Sequence, residues 1–403
     1  MTTPDPAAVD FALKLARALH VHGAPAHRLE EAMTLVTGQL GMEGQFFSTP
    51  TSLLAGFGPL GEQRTYLLRV DPGGVDLEKQ ALLHDVVTEF SARRIDPDEA
   101  SARIDAIEAA EPRYGAMTEI LCAGLASGCA AVFFGGGVAE VSVGAGIGLM
   151  VGLIRIVATR WRSLGPIHEG VGALLAALLA ALADHVAGPV SVPVSVLAGL
   201  VMLLPGLTLT TAMTELATRN LASGTARLAS ATVTFLMLGF GVALGTRLAE
   251  LVAGVGVALE PDALPSWASP VALGLAPLVF AVLFRVLPRD IPWVLCGGFL
   301  AFYTARGGSA LLGAELGLFL ATLTLGLAAN VWSRALERPS AVGVVPGMIL
   351  LVPGSVGYRS LTSLMQDDVV GGVQTAFTVS QMAVALAAGL LVANALVAPR
   401  RAL

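Results

Sequence analysis

Leu203-Leu204-Pro205-Gly206-Leu207-Thr208 and, 148 residues later, Leu351-Val352-Pro353-Gly354-Ser355-Val356 decide how this chain is read. Each stretch interrupts an apolar run with a proline followed by a glycine. Proline lacks an N–H and its ring clashes with the preceding turn, so a helix opens there. Glycine then lets the chain turn without a Cβ penalty. Backbone groups released in this way cannot stay unpaired in lipid. They can face a polar ligand instead, and a helix N-terminus favours its carboxylate. A single Pro-Gly step would read first as a packing kink, but two at repeat-related positions point to a binding site.

The repeat extends beyond the two steps. Residues 199–241 align without gaps on 347–389, placing Gly199 on Gly347, Thr214 on Thr362, Leu216 on Leu364, Gly224 on Gly372 and Gly241 on Gly389. The 403 residues are 55% hydrophobic and only 13% charged, with a mean hydropathy of +0.74. A soluble chain carries about 25% charged residues, so this one is read as lipid-facing. Both lysines, Lys14 and Lys79, and most acids precede residue 116. Two parts follow: a soluble domain over 1–115, then a membrane part.

A spanning helix needs about 20 mostly apolar residues. Ten candidates are found, at 117–136, 140–157, 169–187, 190–206, 228–249, 268–287, 291–306, 309–332, 340–357 and 375–397. They divide into five-helix units over 116–256 and 268–398. An odd number of spans reverses the second unit, giving the inverted repeat of many secondary transporters, whose solute sits at broken helices in the midplane. Cytoplasmic loops are enriched in Lys and Arg. With both termini cytoplasmic, eleven of the fourteen arginines beyond residue 116 fall inside. Arg247, Arg306 and Arg359 fall outside, and the cation-free loop 257–267 makes an external connection. The expected fold is a polytopic α-helical membrane protein of about ten transmembrane helices as two inverted five-helix repeats, with a small N-terminal α/β soluble domain. The polar stretch Met1–Asp10 does not read as a signal peptide.

In that soluble domain, apolar spacing predicts helices over 7–22 and 26–40, separated by Gly23 and Pro25, and over 75–94 and 97–110. Phe46–Phe57 and Gln63–Asp71 read as strands joined by a hairpin at 58–61.

Several of these stretches carry a family likeness. They are His22-Gly23-Ala24-Pro25-Ala26-His27-Arg28-Leu29-Glu30-Glu31, Phe47-Ser48-Thr49-Pro50-Thr51 and Phe133-Phe134-Gly135-Gly136-Gly137-Val138-Ala139-Glu140. Leu204-Pro205-Gly206-Leu207 through Gly224, and Val352-Pro353-Gly354-Ser355-Val356-Gly357-Tyr358-Arg359, complete the order. Together they resemble the threonine/serine exporter family along nearly the whole chain. The resemblance implies export of threonine and serine driven by the proton-motive force across a bacterial inner membrane. It also implies ten spans behind a hydrophilic N-terminal domain. Where the family more often has Asp after the Gly-rich turn, this chain has Glu140. Split two-subunit relatives are associated with succinate export, which leaves a dicarboxylate open as the solute.

The candidate substrate residues are Pro205, Gly206, Thr208, Thr211, Glu215, Asn220, Pro353, Gly354, Ser355 and Tyr358. The hydroxyl-rich run after Pro205 suits a small hydroxy amino acid, and Glu215 is available for its ammonium. Ionisable groups inside a membrane are functional hypotheses by default. Glu140 and Glu315 are the candidates for proton coupling, with Glu315 expected one to two turns inside its span. Glu119 and Asp184 read as solvated helix ends.

Other classes find less support. His20, His22 and His27 straddle a Gly-Pro break without the acid or cysteine pattern of a metal site, so no metal and no cofactor is expected. Cys122, Cys129 and Cys296 lie in apolar segments and form no disulfide framework. No basic cluster interleaved with aromatics points to nucleic acid, and no phosphate loop points to ATP. A membrane-anchored hydrolase would have to use Ser48, His27 and Asp71, a match of residue types only. A sensory or scaffold role stays open, and a homo-oligomer is expected only by analogy.

Overall fold

The computed structural model describes residues 5–59, 61–71, 73–161, 163–253, 261–262, 264–352, 354–365 and 369–399. Pro353, Asp367, Asp368, Arg162, Arg400, Arg401 and residues 257–260 and 263 of the loop 257–267 lie outside them.

The chain opens with α1 (Pro6–Val21) and α2 (Ala26–Gln39). Asp5 caps α1 by accepting from Ala7 N at 3.1 Å, and Pro6 occupies the first position, where no N–H is needed. Gly23 at φ 85° makes the turn into α2. Three antiparallel strands follow in the order β1 (Gly44–Thr49), β2 (Ser52–Phe57), β3 (Arg64–Arg69). The single strand expected over Phe46–Phe57 is therefore two. Pro50 cannot donate to a ladder, and the Thr49–Ser52 pair closes a two-residue hairpin around Pro50-Thr51. Next come α3 (Leu77–Ser91), capped by Asp76, and α4 (Pro97–Ala109), capped by Asp96. Phe11, Leu15, Leu29, Met33, Leu53, Phe57, Leu83 and Ile104 are fully buried together, so this segment has a core of its own.

Twelve helices make up the described remainder. They are α5 (Ala116–Phe133), α6 (Val138–Arg160), α7 (His168–Ala187), α8 (Val192–Gly199), α9 (Gly206–Ala217) and α10 (Leu221–Ala253). Then come α11 (Ala268–Leu283), α12 (Ile291–Leu312), α13 (Ala314–Leu336), α14 (Ala341–Ile349), α15 (Gly354–Met365) and α16 (Val369–Leu396). Among the described residues seven stretches are long and apolar enough to cross a membrane, and α11 is a shorter apolar helix. The protein is a polytopic helical membrane protein.

Two expectations about helix ends change. Gly313, at φ 92°, ends α12 at Leu312 and starts α13 at Ala314. Glu315 is thus the second residue of α13, half-buried, rather than one to two turns deep. The same shift carries α12 past Arg306, which now lies within the helix. The polar run after Pro205, expected in part as a loop, is the helix α9.

Helix packing repeats. Long α10 lies on α7, and long α16 lies on α13. Gly241 and Gly389 sit at these two crossings, where a Cβ would run into the α7 and α13 backbone respectively. The first segment docks on the helices through charges and backbone. Arg285, itself held to Glu119 of α5 at 2.9 Å, donates to Asp76 at 3.1 Å, and Leu77 N donates to Phe284 O at 3.0 Å.

Candidate functional site

α8 stops at Gly199, and α9 starts at Gly206. α14 stops at Ile349, and α15 starts at Gly354. Both interruptions end on the glycine of a Pro-Gly step, as the chemistry of that pair requires. The two breaks meet. A Cβ placed on Gly354 would lie 3.6 Å from Gly206 Cα and 3.1 Å from Leu204 Cβ. A Cβ on Gly206 would overlap the Val352 side chain and approach Gly354 N to 3.3 Å. Position 206 has no room for a Cβ unless Val352 moves.

Beside the crossing is a cavity of about 320 Å³. Gly206, Gly354 and Ser355 line it, together with Phe133 of α5 and Phe302 and Arg306 of α12. Most of the wall is apolar, and Arg306 is the one charged side chain among its described lining. A second cavity of about 150 Å³ touches Leu207, Thr211 and Met348 and is roofed by Pro25, His27 and Arg28 of the first segment.

The other expected site residues are placed elsewhere. Pro205 is the N-cap of α9, and Thr208 lies on α9 outside both cavity linings. Tyr358 is buried in the apolar cluster of α6, α7, α8 and α10. Asn220 closes the α9–α10 turn, donating from Nδ2 to Thr218 Oγ1 at 3.2 Å. Glu215 is fully buried, and its oxygens accept from Ala26 N at 3.0 Å, Ser223 Oγ at 2.7 Å and Arg227 Nε at 3.0 Å. Its carboxylate is committed to tying α2, α9 and α10 together and does not reach the cavity at the breaks.

Glu140 is buried in the first turn of α6 and accepts from Gly137 N at 2.8 Å and Ser191 N at 2.7 Å. The first bond satisfies a helix-end donor, and the second pins the segment that leads into α8. Glu140→Ala should cost about 1–3 kcal/mol, because two buried N–H groups lose their acceptor. Unchanged thermal unfolding of the detergent-solubilised variant would contradict this.

The three histidines face different partners. His20 Nε2 lies 3.0 Å from Pro50 O, so Nε2 carries the proton and Nδ1 accepts from Ser48 Oγ at 3.2 Å. His22 pairs with Glu108. His27 faces the smaller cavity, and its Nδ1 is buried without a hydrogen-bond partner. Among the described residues no group of three or more His, Cys, Asp or Glu side chains is placed to hold a metal ion.

Burial, aided by Arg28 and Arg227, lowers the His27 pKa from 6.5 to about 4. Between those values the unfolded chain takes up a proton that the folded chain refuses. Stability is therefore complete above pH 6.5 and falls as the pH drops toward 4. His27→Gln should flatten that acid limb in melting curves run from pH 7 to 4.5. Equal slopes for both proteins would reject the assignment.

Comparison with known proteins adds the family. The model described as "Putative threonine/serine exporter" matches residues 10–249, and "Threonine/Serine exporter, ThrE" matches 271–396. This chain belongs to the threonine/serine exporter family. Among curated relatives, "Pheromone-regulated membrane protein 10" of Debaryomyces hansenii is 24% identical over 364 residues, covering 87% of this chain and 36% of the relative. The protein of the same name from Kluyveromyces lactis is 25% identical over 417 residues, covering 96% and 43%. That from Eremothecium gossypii is 26% identical over 362 residues, covering 87% and 48%. The chain thus spans less than half the length of these relatives. No solved structure matches.

The threonine/serine exporter family is a family of transporters rather than a class of enzymes. Ser48 turns to His20, while His27 faces the cavity. Sequence reasoning missed Arg306, whose signal was an arginine inside an apolar helix.

Proposed function

We propose that this chain is a secondary transporter that exports a small hydroxy amino acid, serine or threonine, past the crossing of its two Pro-Gly breaks. The observation that carries the reading is the contact of Gly206 with Gly354 at the wall of the larger cavity. The larger cavity offers Arg306 and Ser355 to a carboxylate and a hydroxyl, and carbonyls released at the breaks to an ammonium.

An inverted repeat of two five-helix units is part of this proposal. α9 and α15 start 148 residues apart, and so do α10 and α16. Ten spans follow when the broken pair α8–α9, α11 and α12 are counted with the seven long stretches. The arginine distribution supports cytoplasmic termini in a bacterial inner membrane. The domain limits are 1–115, 116–256 and 268–398.

A succinate-like dicarboxylate is the second reading. It is favoured by the larger cavity, where Arg306 has no acid beside it among the described lining. Counterflow of labelled serine, threonine and succinate into liposomes separates the two. Exchange of none of the three would end the transport reading for these solutes.

Protons are proposed as the driving ion. Glu315, half-buried at the start of α13, is the better placed carboxylate, because Glu140 is engaged by two amides. Glu315→Gln should abolish stimulation of export by a pH gradient. Full stimulation in both Glu315→Gln and Glu140→Gln would remove both residues from coupling.

A further inference from the structure

The smaller cavity holds chemistry that the breaks do not use. α2 closes it on one side, and α9, α13, α14 and α16 wall the other. Its polar lining includes His27, Arg28, Gln80, Thr211, Ser340 and Asn394, and no aspartate or glutamate is among the described lining.

Arg28 is poorly paired for a charge so far out of water. Its side chain is 21% exposed. Nη2 donates to Ser340 Oγ at 3.3 Å, and Nη1 reaches Glu31 at 3.4 Å. Charge-assisted bonds of this type run about 2.7–2.9 Å, so both are long. Beside it His27 Nδ1 is buried without a partner. Buried polar groups are costly unless bonded, and a buried cation is costlier still.

One anion completes the arrangement. A guanidinium presents a planar fork that matches the two oxygens of a carboxylate. A neutral imidazole places its single proton on either nitrogen, so His27 can donate from Nδ1. One cation beside a neutral donor balances a single negative charge, which favours a carboxylate over a phosphate dianion. The volume of about 150 Å³ is far below that of drug-sized pockets, which begin at about 300 Å³.

We propose that this cavity is a binding site for a small carboxylic acid, held by Arg28 and His27, with its remaining polar groups meeting the Thr211 hydroxyl and the Asn394 amide. It is distinct from the cavity that contains Arg306. It lies on the side of the crossing covered by the N-terminal helices, so its occupant is either the exported solute approaching the breaks or a separate effector acid. Only the first alternative rests on the transport reading.

The test is calorimetric titration of the full-length chain in detergent with L-serine, succinate and serinamide. Serinamide keeps the hydroxyl and amine of serine and lacks the carboxylate. At least one of the two acids binds, and serinamide binds at least tenfold more weakly than serine or not at all. Arg28→Gln weakens acid binding tenfold or more, and His27→Asn about threefold to tenfold. The Arg28-dependent binding persists in Arg306→Gln.

The inference is overturned if no acid binds, if Arg28→Gln and His27→Asn bind like the parent, or if Arg306→Gln alone removes all binding. Each variant must keep the parent's melting temperature. Should Arg28→Gln fail to fold, His27→Asn and Thr211→Val decide. In liposomes, a tenfold higher KM for Arg28→Gln with unchanged kcat identifies the exported solute, and an unchanged KM identifies an effector. Binding by a chain that exchanges none of the three solutes would reject transport alone and leave this site standing.

Discussion

Gly206→Ala is expected to lower solute exchange at least tenfold, and Val352→Ala in the same chain is expected to restore most of it. The reason is steric. A methyl on Gly206 would occupy space that the Val352 side chain now fills, and Gly354 N lies 3.3 Å from that methyl position. Inserting a methyl into a packed contact costs about 1–3 kcal/mol. At 1.4 kcal/mol per factor of ten, that is enough to empty the close-packed crossing. Removing two carbons from Val352 frees the same volume. Val352→Ala alone should change exchange only modestly, because it opens space without forcing the backbones apart. Gly354→Ala should be milder than Gly206→Ala, because its methyl would press on Leu204 Cβ at 3.1 Å and only touch Gly206 Cα at 3.6 Å. Rescue by size complementation is the diagnostic result. If the double variant is as poor as Gly206→Ala, the two breaks do not act as one unit, and the proposed site loses its basis.

What the sequence revealed and what it hid follow from how local each interaction is. A Pro-Gly step acts on its own backbone, so the positions of the two breaks were readable without knowing what surrounds them, although the helix that follows Pro205 was not. The caps Asp5, Asp76 and Asp96 are just as local, with bonds that span two or three residues, but the helix ranges were read without them. Pro50 was an equally local signal. It divides Phe46–Phe57 into two strands, and the apolar residues on either side, Phe46, Phe47, Leu53 and Leu54, obscured it.

The end of α12 was read too early because Arg306-Gly307-Gly308 lowers the local hydropathy. Arg306 consequently looked like a loop residue, although the helix runs on to Leu312. Glu215 could not be placed by pattern at all. Its backbone donor, Ala26 N, is 189 residues distant in the chain. A polar helix beside a break reads as a binding surface until the partner of its acid is known. Tyr358 is a similar case, since only the arrival of α6, α7, α8 and α10 makes its position a core position.

Glu215→Ala is expected to be the most destabilising single change in the chain, at about 3–5 kcal/mol. The carboxylate is fully buried and serves three donors at once: the first amide of α2, the Ser223 hydroxyl and the Arg227 guanidinium. Removing it strands the positive charge of Arg227, whose side chain is 22% exposed and has no other acid partner among the described residues. The cost therefore arises chiefly from the orphaned cation rather than from the lost attraction. Two companion variants separate these terms. Glu215→Gln should fall between the parent and Glu215→Ala, because an amide oxygen still accepts one bond while the charge on Arg227 stays unbalanced. Glu215→Leu combined with Arg227→Met removes both charges and should lose less than Glu215→Ala, as buried ion pairs replaced by apolar residues often do. Thermal unfolding in detergent ranks the four proteins. Limited proteolysis between α4 and α5 reports whether α2 has loosened from α9 and α10. A Glu215→Ala protein that melts with the parent and resists protease equally would mean that the first segment is held on the helices by its other contacts, chiefly Arg285 with Asp76.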